Sequence, residues 1–183
     1  ASVAEARALQ HELNMQRAGS VALIQADLLK GASLPDLVKT TVKQFGGLDI
    51  LVTNSGGPPA GRFDDFDDEA WRKATDLMIM CAVRLIRASL PHLRKSKAAS
   101  VLTITSMSTK QPLPNLVLSN SIRLAVIGLT KSLALELGNE GIRLNSILPT
   151  FTETERVIEL MTHRAKQNGT TVEEEIKKQA ASS

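Results

Sequence analysis

Four short apolar runs constrain this chain more than any other feature: VALIQAD (residues 21–27), LDILVTN (48–54), a run over 101–105 and another over 142–148. Each is too short for a buried helix and rich in Val, Ile and Leu, so each reads as a buried strand. Between them lie segments with helical patterning. Parallel neighbours need a crossover of a dozen or more residues, and helices of this length supply one. The sequence therefore predicts an α/β fold: a Rossmann-like, doubly wound parallel sheet with its site at the carboxyl ends of the strands.

Local signals mark the elements. Ser33-Leu34-Pro35-Asp36 reads as a helix start with Ser33 capping, and that helix stops at Gly46-Gly47 after Phe45. The stretch SGGPPAGRF is a loop, because its Gly and Pro supply turn geometry and remove donors. A long helix is expected over 67–91, with Leu77, Met78, Cys81, Leu85, Ile86 and Leu90 on its apolar side. Ile122, Val126, Leu129, Leu133 and Leu137 fall on one buried face of another, ended by Gly138 and Gly141. After Pro149 the pattern turns helical and charged, and four-residue pairs Glu173–Lys177 and Glu174–Lys178 suit an exposed helix. The opening residues, ASVAEARALQHELNMQRAG, read as the middle of a helix with no strand before it. No repeat or linker divides the sequence, so residues 1–183 form one domain or part of one.

Composition removes several function classes. The formal charge of +3 is scattered, and with aromatic residues at only 3% it reads as a solvated surface and not a nucleic-acid interface. No window approaches the ~18 apolar residues of a membrane span, and no basic-then-apolar leader opens the chain, so a cytoplasmic location is expected. The single cysteine, Cys81, sits in an apolar run and reads as core. No cluster of ligand-type residues suggests a metal.

The segment from Ser100 to Pro149 carries a further pattern: a strand delivering Ser106, then a helix holding Ser119-Asn120-Ser121-Ile122-Arg123. With Thr53-Asn54-Ser55-Gly56 after the preceding strand and Pro149-Thr150-Phe151-Thr152-Glu153-Thr154 after the last, this resembles the short-chain dehydrogenase/reductase family. The resemblance implies NAD or NADP as cofactor, a small-molecule carbonyl or alcohol as substrate, and a homo-oligomer built on the helices over 67–91 and 116–137. It implies that Ser106, Ser119 and Arg123 stand at the catalytic positions. It also implies that Asp27, Asn54, Ser55, Gly56, Arg123, Pro149 and Thr154 lie against the cofactor, Asp27 at the adenine and Thr154 at the nicotinamide carboxamide. An acid ending a strand is also a common turn residue, and a serine near a helix start is also a common structural one, so both positions keep two readings. Residues 153–183 correspond to the family's variable substrate lid.

The departures from the family pattern bear on chemistry. Where the family has Tyr-x-x-x-Lys, thirteen residues after its serine, this chain has Ser119 and Arg123, and it contains no tyrosine at all. A phenol ionises at a pKa of about 10 and can be tuned lower, whereas a serine hydroxyl is far less acidic and arginine releases no proton near neutrality. Met78 stands where the family has a helix asparagine, and Thr150 where it has a glycine. The glycine-rich turn that holds a pyrophosphate has no counterpart here. The chain is expected to be the central part of the fold, supplying its third to sixth strands. Residues 21–27 then either leave a gap in the sheet or pair differently. Three functional accounts stand: hydride transfer on a carbonyl or alcohol, a dinucleotide-binding pseudoenzyme, and an inactive fragment of a longer reductase.

Overall fold

The computed structural model describes residues 2–150 and 155–181. Its elements run α1 (Val3–Gln16), α2 (Leu34–Phe45), β1 (Ile50–Thr53), α3 (Asp68–Thr75), α4 (Cys81–Leu93), β2 (Ser100–Ile104), α5 (Val117–Leu137), β3 (Arg143–Ile147), α6 (Glu155–Asn168) and α7 (Val172–Ala181). The three strands form one parallel sheet in the order β1-β2-β3, with Leu51 opposite Val101 and Val101 opposite Leu144. The α/β class and the crossover helices are as the alternation of runs predicts.

Because side chains alternate across a strand, that register divides the sheet into two unlike faces. Val101, Thr103 and Leu144 are buried on one of them. There Ala82, Ile86 and Leu93 of α4 and Leu137 of α5 close a core with Val101, Ile142 and Leu144. On the other face Ile50, Val52 and Ile147 are 59%, 52% and 48% exposed. Helices thus cover one side of the sheet among the described residues, and the site is built on that covered side.

The expected strand over residues 21–27 does not form. No ladder includes it, and its first residue is held instead by α1: Val21 N–H donates to Asn14 Oδ1 at 2.9 Å, while Asn14 Nδ2 and Gln10 Nε2 donate to the Val21 carbonyl at 3.1 and 3.2 Å. A strand is stable only when its backbone groups find a partner strand, and none lies beside this run. The sheet therefore has three strands and not the expected four.

Other local expectations are also corrected. The first helix has its own start: Ser2 Oγ accepts from Glu5 N–H and the Glu5 carboxylate accepts from Ser2 N–H. Ser33 makes no cap bond; a 3₁₀ turn over Gly31–Ser33 precedes α2, and the Ser33 hydroxyl donates back to the Lys30 carbonyl. Gly46 ends α2 at φ +83°, the left-handed conformation that favours glycine. The helix expected over 67–91 is capped by Asp67 but breaks at a π-turn over Asp76–Met80, where Cys81 N–H reaches the Asp76 carbonyl. The four-residue pairs in α7 are replaced. Glu174 accepts from Thr171 N–H in a helix cap, and Lys178 pairs with Glu175 at 3.2 Å. No helix among the described residues is long and apolar enough to cross a membrane.

Candidate active site

At the carboxyl end of β2 the chain leaves the sheet through Thr105 and Ser106. Thr105 N–H and Oγ1 both donate to the Ile147 carbonyl, and Met107 N–H donates to the Pro149 carbonyl, so the ends of β2 and β3 are stitched together. Ser106 is extended, at φ −165° and ψ 152°, and caps the 3₁₀ turn Met107–Thr109. Its Oγ accepts from Ser108 N–H at 3.1 Å and its carbonyl accepts from Thr109 Oγ1 at 2.8 Å. The strand end, the turn and the return strand fix this serine from three sides.

Helix α5 brings the other half. Ser119 and Arg123 are one turn apart on one helix face, and Arg123 Nε donates to Ser119 Oγ at 3.1 Å. Arg123 Nη1 donates to the Thr105 carbonyl, also at 3.1 Å. The guanidinium thereby bridges α5 to the end of β2, a use of its fork of donors that a lysine ammonium could not copy with the same geometry. Ser106, Ser119, Arg123 and Pro149 all line one open cleft of about 220 Å³. Leu113, Leu116, Val157 and Leu160 give it an apolar wall.

Two supports of this wall have no motif to announce them. Asn120 Nδ2 donates to the Leu113 carbonyl at 2.8 Å, and Asn120 Oδ1 accepts from Leu113 N–H at 3.4 Å, pinning the preceding loop onto the helix. Gly61 N–H donates to the Asn115 carbonyl at 2.7 Å, tying the loop after β1 to the entry of α5. The detectable signal was an asparagine in the first turn of a helix, a position where its side chain competes for nearby backbone.

Behind the cleft lies a cavity of about 20 Å³, room for about one water, lined by Asn54, Ser55, Met78, Cys81, Thr105 and Arg123 among others. Met78 is 4% exposed and comes from the π-turn. Its thioether brings no donor where the family's asparagine would bring an amide. Burial pushes the Cys81 thiol above its ordinary range, with Arg84 opposing the shift, so Cys81 stays a protonated core residue. Among the described residues no group of His, Cys, Asp or Glu could hold a metal ion.

Of the sequence-predicted positions, Ser106, Ser119, Arg123, Asn54, Ser55 and Pro149 are therefore brought to one region. Gly56 is exposed, and a Cβ there would meet nothing within 4 Å, so the space beside it is open. Asp27 stands elsewhere, exposed on a turn where its Oδ1 accepts from Leu29 N–H, beside a separate hollow shared with Lys30 and Asp36. Thr154 lies outside the described residues. Asn54, Ser55 and Thr105 line the small cavity, Ser106, Ser119 and Pro149 line the adjoining cleft, and Arg123 borders both.

The model of a family described as short chain dehydrogenase matches residues 1–165. Dehydrogenase/reductase SDR family member 4 of Bos taurus is 35% identical over 119 residues, which cover 64% of this chain and 43% of that protein. The chain thus aligns with under half the length of that relative. Among solved structures, L-sorbose reductase from Gluconobacter frateurii, complexed with NADPH and L-sorbose, is 27% identical with a TM-score of 0.84, covering 94% of this chain and 65% of that one. A short chain oxidoreductase from Pseudomonas aeruginosa PAO1 containing an atypical catalytic center is 27% identical with a TM-score of 0.72, covering 80% of this chain and 56% of that one.

Proposed function

The chain belongs to the short-chain dehydrogenase family, and from that premise we propose that it carries the catalytic end of a nicotinamide-dependent oxidoreductase acting on a small carbonyl compound or alcohol. The observation that carries the proposal is the bridge from Arg123 to Ser119 and to the Thr105 carbonyl beside Ser106, because it sets a cation and two hydroxyls at the carboxyl ends of parallel strands. Asn54, Ser55, Gly56, Arg123, Pro149 and Thr154 are the residues proposed to hold the nicotinamide end of NAD or NADP, and Asp27 its adenine. When bound, that group supplies or accepts the hydride.

The remaining work falls to side chains of this chain. Ser106 donates to the substrate carbonyl oxygen and orients it. Arg123 stabilises negative charge developing on that oxygen, an electrostatic contribution strongest where water is excluded. Ser119, or a water it holds, relays the proton, since the chain has no tyrosine to do so. Val157 and Leu160 place α6 against the cleft, supporting residues 153–183 as a substrate lid.

A second reading, dinucleotide binding without efficient turnover, is favoured by the same site's lack of an acidic donor and by Met78 in the adjoining cavity. A homo-oligomer belongs to the proposal as well, because Leu124 and Leu135 of α5 are 53% and 84% exposed. So does a cytoplasmic location. The deciding experiment titrates NADH and NADPH against this chain, and against a version extended at both ends, then assays carbonyl reduction. Turnover that falls in Ser106→Ala and Arg123→Ala supports the oxidoreductase. Binding with no turnover refutes it in favour of the second reading, and binding only in the extended version identifies the present chain as an inactive portion.

A further inference from the structure

The buried side chains of α5 are Leu118, Ile122, Val126, Leu137 and a single polar one, Thr130. Thr130 is 4% exposed, and its Oγ1 lies 3.1 Å from Oγ1 of Thr103, a fully buried residue of β2. Thr103 Oγ1 lies 2.6 Å from Ser146 Oγ on β3. Each hydroxyl has one proton to give, and that fixes the direction of the chain. Thr130 donates to the Val126 carbonyl at 2.8 Å, so it accepts from Thr103, and Thr103 accepts from Ser146. A hydroxyl buried without a partner is costly, and here both buried ones are satisfied.

Apolar contacts are non-directional and tolerate some sliding of a helix on a sheet, whereas a hydrogen bond holds over a narrow range of distance and angle. Thr130 follows Arg123 by seven residues, which puts both on one face of α5, roughly 10 Å apart along its axis. Thr103 precedes Thr105 by two on β2, and Arg123 Nη1 donates to the Thr105 carbonyl. From this arrangement we infer that Thr103 and Thr130 are positioning residues of the cleft: their bond sets the height of α5 on β2, so that Arg123, while bonded to Ser119, also reaches the Thr105 carbonyl.

Ser146 extends the same link to β3, where its neighbour Ile147 accepts from both Thr105 N–H and Thr105 Oγ1. One layer of hydroxyls thus holds the three elements whose ends build the cleft. Loosening that layer frees the guanidinium to swing while the apolar stripe stays packed. On the oxidoreductase reading above, on which its bearing on chemistry rests, this layer keeps the cation beside Ser106. A valine at either threonine preserves shape and burial and removes only the directional bond.

Arg123 can be followed without cofactor or substrate, so failure here leaves the hydride-transfer reading standing, and absence of turnover leaves the register standing. In the isotopically labelled full chain, NMR reads rotation of the guanidinium about its Nε–Cζ bond, with the Arg123 signal identified by its loss in Arg123→Lys. Rotation must break the Nη1 bond to Thr105 and is expected to be slow in the parent chain. Thr103→Val and Thr130→Val should each speed it about tenfold, the scale of one hydrogen bond to a charged group. Thr103→Val is the gentler change, because Ser146 is half-buried and can turn its proton to solvent. Thr103→Ser and Thr130→Ser keep the hydroxyl and should restore the parent rate. Ile86→Val, a core change on α4, should leave the rotation as it is. Circular dichroism confirms that each variant is folded. Fast rotation in the parent, an unchanged rate in Thr103→Val, no rescue by serine, or equal acceleration in Ile86→Val would each overturn the inference. Loss of the fold in both valine variants would do so too, because the bonds would then be a condition of folding and not of register.

Discussion

Replacing Asn120 by alanine tests how the cleft wall is held. In the folded chain its amide makes a short bond to the Leu113 carbonyl, 2.8 Å, and receives a longer one from Leu113 N–H, 3.4 Å. A half-buried bond of this kind contributes about 0.5–1.5 kcal/mol net, and the longer one falls at the low end. Their joint loss is about 1–2 kcal/mol. Alanine is itself a better helix residue than asparagine, which returns a few tenths of that. The cost should fall on the loop over residues 110–116 and not on the sheet, because both bonds end on Leu113. A local destabilisation of 1–2 kcal/mol raises the open population about 5- to 30-fold. Lys110 is exposed in that loop, so trypsin cleavage after it should speed up by the same factor when reclosing outpaces cleavage. The assay is limited proteolysis with mass spectrometry, alongside thermal unfolding, where a shift of about 2–8 °C is expected. Faster cleavage elsewhere, or cleavage after Lys110 at the native rate despite a lowered midpoint, would refute the clamp.

Other consequences can be measured on the same chain. Ile86→Ala empties a site that is 2% exposed between α4 and the sheet, and should cost about 2–5 kcal/mol in urea unfolding. Gly61→Ala would set a Cβ 2.6 Å from Phe66 Cζ and 3.1 Å from Asp65 Oδ2, so its midpoint should also fall, whereas alanine at Gly56, with nothing within 4 Å, should leave it unchanged. Hydrogen bonding from Arg94 holds the Glu140 carboxyl below its ordinary 4.5, with direct charge attraction as a lesser cause. Its contribution to stability is therefore present above that value and lost as pH falls through the lowered folded pKa. Glu140→Gln should lose stability less steeply than the parent chain as pH falls below about 4.5. Cys81, its thiol raised by burial, should react with an aromatic disulfide reagent only slowly when folded and rapidly in denaturant.

Much of the site was legible because it sits on elements whose periods are strong. The β2 run placed Ser106 at a strand end, and helical spacing placed Ser119 and Arg123 one turn apart; the structure keeps both relations. What spacing could not supply was the contact from Arg123 to the Thr105 carbonyl, eighteen residues away in sequence, since it depends on how close α5 packs to β2. The π-turn that carries Met78 was equally invisible, because a single wider turn barely disturbs an apolar stripe. The run over residues 21–27 misled for a different reason. Its pattern is that of a strand, but pattern describes what a segment could bury and not whether a partner is beside it.

The sequence by itself determined the order of strands and helices, the parallel sense that long crossovers force, and which chemical groups could meet at the strand ends. Those follow from side-chain periodicity and chain reach, which are local. Only the tertiary structure decided that residues 21–27 join no strand, that one face of the three-stranded sheet is exposed among the described residues, and that Ser106 and Ser119 line one cleft. Each of these depends on which backbone and side-chain groups are present to accept or donate at a given point in space, and distance along the chain carries no record of that.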